Sequence, residues 1–69
     1  MGNHTYKKID LVGSSTKSIT NAIESAIARA SKTTRNLDWF EVREIRGHIE
    51  EGKVAHYQVA MKVGFRIED

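Results

Sequence analysis

Three features of the 69-residue sequence predict an α+β domain, ordered β-α-β-β, with a three-stranded antiparallel sheet packed on one helix. A stretch of helical period lies in the first half of the chain. Two long stretches with alternating apolar and polar residues follow it. Between these two, Glu50-Glu51-Gly52 leaves room only for a tight hairpin.

The first strand is expected over Thr5–Ser14, where Ile9 and Leu11 alternate with Lys8 and Asp10, and Gly13-Ser14-Ser15-Thr16 then supplies turn formers. The helix is expected from Ser18 to about Lys32. The Ser18 hydroxyl can cap it, and Ile19, Ala22, Ile23, Ala26, Ile27 and Ala30 form one apolar stripe. Alternating Ile with the small Ala lets the helix approach a sheet closely. The second strand is expected over Trp39–Ile49 and the third over Lys53–Ile67. On the third, the odd positions from Tyr57 to Ile67 are all apolar or aromatic and predict the face under the helix.

A three-residue loop with Gly52 in the left-handed position would pair Ile49 with Lys53, Ile45 with Tyr57 and Glu44 with Gln58. That register buries Ile45 and Ile49. It sets Glu44, Arg46 and His48 on the other face, opposite Gln58, His56 and Val54. At the start of the second strand the apolar phase reverses to Phe40 and Val42. A bulge near Arg43 would reconcile the two phases and bring Trp39 onto the face of Arg46 and Gln58.

Composition narrows the function classes. The chain has no cysteine, which removes disulfides and thiolate metal sites. No apolar run approaches the ~18 residues of a membrane span, and the polar start, Met1–Lys8, lacks a signal-peptide core. The expected compartment is the cytoplasm. Residues 1–69 are expected to form one domain, with 1–4 a flexible N-terminus. A chain this short buries only ~60% of its unfolded surface. Strands this long also leave one sheet face that a single helix cannot cover, so self-association is expected.

Catalytic signals are weak, and no enzyme is expected. His48 and His56 fit a solvated strand face better than a metal site, because no carboxylate spacing completes one. Ser14, Ser15 and Ser18 read as turn and cap residues, and the five glycines form no phosphate loop. Lys7, Lys8, Lys17, Arg29, Lys32 and Arg35 could form a basic patch. They make an oligomeric nucleotide- or nucleic-acid-binding module the alternative reading. However, 11 basic residues are interleaved with 9 acidic ones for a net charge of only +2, so no nucleic-acid partner is expected. Trp39, Gln58 and Arg46 stand out instead. An indole stacks flat heterocycles, an amide offers a donor and an acceptor to a ring edge, and a guanidinium fork suits phosphate.

The segments Ser31–Val42, Ile45–Ile49 and His56–Arg66, together with Tyr6–Ser14 ending in Leu11-Val12-Gly13-Ser14, resemble the dodecin family across nearly the whole chain. The resemblance implies a hollow homododecamer, sheets inside and helices outside. It implies flavins held in antiparallel pairs between tryptophans of symmetry-related protomers. By resemblance Trp39 is the stacking residue, Gln58 bonds the flavin ring edge and Arg46 holds the phosphate of FMN. FMN is the implied flavin, with riboflavin and FAD as other ligands. Coenzyme A is a further implied ligand of some bacterial members, for which Tyr6, Lys7, Arg29 and Lys32 are the basic or aromatic residues at hand. The implied role is flavin storage, buffering and photoprotection, because indoles quench a stacked flavin.

Overall fold

A computed structural model describes residues 3–68. Strand β1 spans Tyr6–Ser15, helix α1 Ile19–Ala30, strand β2 Leu37–Glu50 and strand β3 Lys53–Arg66. The sheet is antiparallel, in the order β1-β3-β2, so β3 is central. The expected β-α-β-β architecture is therefore the observed one. The expectation of a flexible 1–4 segment lies in part outside the described residues.

Helix α1 begins as its sequence dictates. Ser18 has an extended backbone, and its Oγ accepts the Asn21 backbone N–H at 2.9 Å. The preceding turn is also tied down, since the Ser15 Oγ accepts the Lys17 N–H at 2.9 Å and donates to Asn21 Oδ1 at 2.7 Å. The apolar stripe faces the sheet, with Ala22 fully buried and Ile19, Ile23, Ala26 and Ile27 packed around it. Val59, Met61 and Val63 of β3 complete the core.

Four expectations are corrected. Strand β1 runs one residue past its expected end at Ser14, to Ser15, so the turn formers from Gly13 onward do not break it. Gly13 is needed inside the strand because α1 lies directly on it: an added Cβ would collide with the Ala22 carbonyl and the Ala26 side chain. The hairpin loop is two residues, Glu51 and Gly52, both at positive φ (52° and 76°), the pattern of a type I′ turn. The shorter loop and one extra residue in β3 together change the register by two: Arg46, not Glu44, faces Gln58, and His48 faces His56. Because the middle of the ladder slips by an even number of residues, the faces there stay as expected. That extra residue, Ala55, turns Val54 from its expected place on the open face to the helix side, beside Ile49.

The fourth correction concerns burial. Ile45 and Ile49 point to the helix side but remain 53% and 70% exposed. Twelve helical residues span about 18 Å, whereas a fourteen-residue strand runs about 46 Å. Helix α1 also packs on β1 and β3 rather than on β2. Tyr57 and Phe65 are only half-buried for the same reason, and Ile67 lies beyond β3. The expected bulge near Arg43 is present as a register shift between Val42 and Glu44. Among the described residues, no helix is long and apolar enough to cross a membrane.

Candidate functional site

The sheet face away from α1 carries the chemistry. Pairing across β3 places Trp39 beside Gly64, Glu41 beside Lys62, Glu44 beside Ala60, Arg46 beside Gln58 and His48 beside His56. Strand β1 adds Tyr6, Lys8, Asp10, Val12 and Ser14 to this face. Most of it is polar yet well ordered by ion pairs: Lys62 meets Asp10 at 2.8 Å, and Lys8 meets Glu41 at 3.1 Å.

Trp39 is 37% exposed and lies against Gly64. Any side chain at Gly64 would run into the six-membered half of the indole. The ring therefore rests on bare backbone and turns a broad π surface outward. The Tyr6 ring meets it edge-on, with centroids 5.3 Å apart at 71°. The indole Nε1–H donates to Glu41 Oε2 at 3.0 Å. That bond, and then Lys8, hold the Glu41 carboxyl below the usual glutamate range.

Arg46 and Gln58 meet directly: Arg46 Nε donates to Gln58 Oε1 at 3.0 Å, and Arg46 Nη1 lies 3.7 Å from Glu44. The guanidinium therefore orients the amide and occupies its acceptor. Trp39 shares this face but not this spot. Its backbone partner Gly64 is six residues along β3 from Gln58, about 20 Å in an extended strand. A single protomer thus brings Arg46 and Gln58 together and keeps Trp39 apart from both.

The other sequence-derived candidates scatter. His48 and His56 stack with centroids 5.6 Å apart, and His48 Nε2 lies 3.4 Å from Glu50. Among the described residues, no group of three or more His, Cys, Asp or Glu side chains is arranged to hold a metal ion. The basic patch divides, since Lys7 and Lys8 face opposite sides of β1 and Lys8 is paired with Glu41. Of the residues considered for coenzyme A, Tyr6 stands beside Trp39 on the open face, whereas Arg29 lines a groove with Gly13, Ser25 and Ala26. Sequence reasoning did not reach Glu41 or Gly64. A carboxylate two residues after a lone strand tryptophan shares its face, which is the signal that could have marked Glu41.

Comparison with known proteins places this arrangement. The dodecin family model matches residues 5–68. The chain belongs to the dodecin family. It is 58% identical to a dodecin from Thermus thermophilus over 64 residues, 93% of either chain. Dodecin from Streptomyces davaonensis superposes with a TM-score of 0.93 at 53% identity, covering 99% of this chain and 100% of that one. Dodecin from Streptomyces coelicolor gives 0.93 at 52% identity, covering 100% and 99%.

Proposed function

We propose that this chain is a flavin-binding storage protein that holds FMN between Trp39 indoles of neighbouring protomers in a homododecamer. The observation that carries the reading is the indole laid flat on Gly64, exposed on a face the helix does not cover. One exposed ring makes half of a stacking site, and a symmetry-related copy supplies the second ring. The same logic answers the separation of about 20 Å between Trp39 and the Arg46–Gln58 pair. Two protomers lying antiparallel would bring the ring of one to the amide and guanidinium of the other. In this reading Gln58 bonds the flavin edge through its amide, and Arg46 takes the phosphate. Riboflavin and FAD would share the stacking contact but not the phosphate contact of FMN. Coenzyme A is a secondary ligand in this reading, with no residue assigned to it.

Sandwiched between electron-rich indoles, a flavin loses its excited state quickly, so the role is storage, buffering and photoprotection rather than turnover. The test is an absorption and fluorescence titration with FMN, run beside a sizing column. The expected result is a large assembly that binds FMN and quenches its emission, and a Trp39→Ala variant that assembles but binds FMN at least tenfold more weakly. Unchanged FMN affinity in Trp39→Ala would refute the assignment. Binding that collapses with added salt in the wild type would instead indicate a phosphate-dominated site.

A further inference from the structure

We propose that Glu41 is the positioning residue of the site: its carboxylate, tethered by Lys8, holds the Trp39 indole in the one orientation that presents its face to a stacked ring. This inference rests on the flavin reading for its ligand but not for its geometry.

An indole on a sheet surface is free to turn about two side-chain torsions, and ordering it on binding opposes affinity. Here the ring is held before any ligand arrives. Gly64 supplies a floor without side-chain atoms, and Tyr6 closes one edge. Neither of these constrains rotation as a directional bond does. That bond runs from the indole Nε1–H to Glu41 Oε2, at 3.0 Å. Positions 39 and 41 alternate onto the same face of β2, so the contact follows from strand geometry.

A glutamate could swing away, and two cations on neighbouring positions restrain it. Lys8 of β1 reaches both Glu41 oxygens, at 3.1 and 3.3 Å. Lys8, Gly64 and Trp39 lie in line across the sheet, and the absence of a side chain at Gly64 leaves the path between the outer strands open. Arg43 of β2 approaches Glu41 Oε1 at 3.7 Å. Lys62 of β3 stands opposite Glu41 in register and is itself bound to Asp10 of β1. The indole bond first, and then Lys8 and Arg43, favour the ionised form of Glu41, and hydrogen bonds to a charged acceptor are the stronger kind. Glu41 need not touch the ligand; it acts through the ring.

Trp39 is the chain's single tryptophan, so its signal reports on one ring. The experiment compares wild type, Glu41→Ala and Glu41→Gln by near-ultraviolet circular dichroism without ligand, FMN titration and sizing. Glu41→Ala is expected to keep the assembly size, lose most of the indole fine structure and weaken FMN binding roughly tenfold. Glu41→Gln retains a carbonyl acceptor for Nε1–H and is expected to recover most of the indole signal. If Glu41→Ala fails to assemble, Lys8→Met is read instead and should blur the indole signal in the same sense. An indole signal that stays as in the wild type in Glu41→Ala, or in Lys8→Met where that replaces it, overturns the proposal. So does a lost FMN affinity with the signal intact, since Glu41 would then contact the ligand itself. If wild type binds no FMN, the flavin reading fails, while the ligand-free spectra still decide the role of Glu41.

Discussion

At the scale of single residues, the candidate site depends on a glycine as much as on a tryptophan. Gly64 is buried, and the indole of Trp39 fills the space a side chain would take. Its φ is not in the left-handed region, so the requirement is steric, not conformational. Gly64→Ala should therefore fold but lift the ring off the sheet. The expected outcome is an FMN affinity at least tenfold lower, with a shifted tryptophan emission, measured by titration against wild type. Arg46→Ala should separate two roles of the guanidinium. Loss of FMN affinity toward that for riboflavin is expected if it binds phosphate; equal loss for both ligands would mean it serves only to orient Gln58, whose Oε1 it holds at 3.0 Å. Trp39, Gln58 and Arg46 were legible in the sequence as residue types on one face. Glu41 and Gly64 were not, because an acidic residue and a glycine in a strand carry no chemistry until a neighbour is placed against them.

At the scale of elements, the hairpin between β2 and β3 and the bulges beyond it set the register of the face. Glu51 takes φ 52°, a conformation in which the Cβ of an L-residue crowds the backbone and which Asn and Gly adopt more readily. Glu51→Asn should raise stability by about 0.5 kcal/mol, read as a higher denaturation midpoint. A lowered midpoint would mean that the glutamate has a compensating role at the turn. The alternation of β3 was readable, and so were the helix stripe and the Ser18 cap. The register was not, because two- and three-residue loops share one sequence, Glu50-Glu51-Gly52, and only the full ladder selects between them. Together with the bulge at Ala55, the two-residue loop is decisive for the site: Gln58 receives Arg46 rather than Glu44.

At the scale of the whole molecule, the protomer is extended for its length. Its radius of gyration is 14.4 Å, against about 11 Å for a compact domain of this length. Its accessible surface is 5253 Å², against about 4,400 Å² for a compact monomer of this mass. Phe40, Val42, Ile45, Ile49 and Val54 remain exposed on the helix side of the β2–β3 hairpin, a stripe that a second copy would cover. Ile45→Asp should accordingly shift the sizing profile toward smaller species, and a profile identical to wild type would place the contact elsewhere. Acid should act on the sheet's charge network. Lys62 lowers the Asp10 carboxyl below its ordinary 3.8, and Trp39 and Lys8 lower Glu41 below its ordinary 4.5. Both are depressed in the folded state, so their contribution is complete above these values and is lost as pH falls through the native ones. Denaturation midpoints should fall below about pH 4.5, and Asp10→Asn should flatten the lower part of that fall.

The sequence by itself determined the element order, the apolar helix stripe, the bulge near Arg43 and the placing of Trp39 on the open face. These follow from local periodicity, which a chain cannot hide. Only the tertiary structure decided that α1 lies directly on Gly13, that Arg46 meets Gln58, and that Trp39 stands far from both in one protomer. Those depend on what lies across the sheet or above it, and such distances between strands are written in no single stretch of sequence.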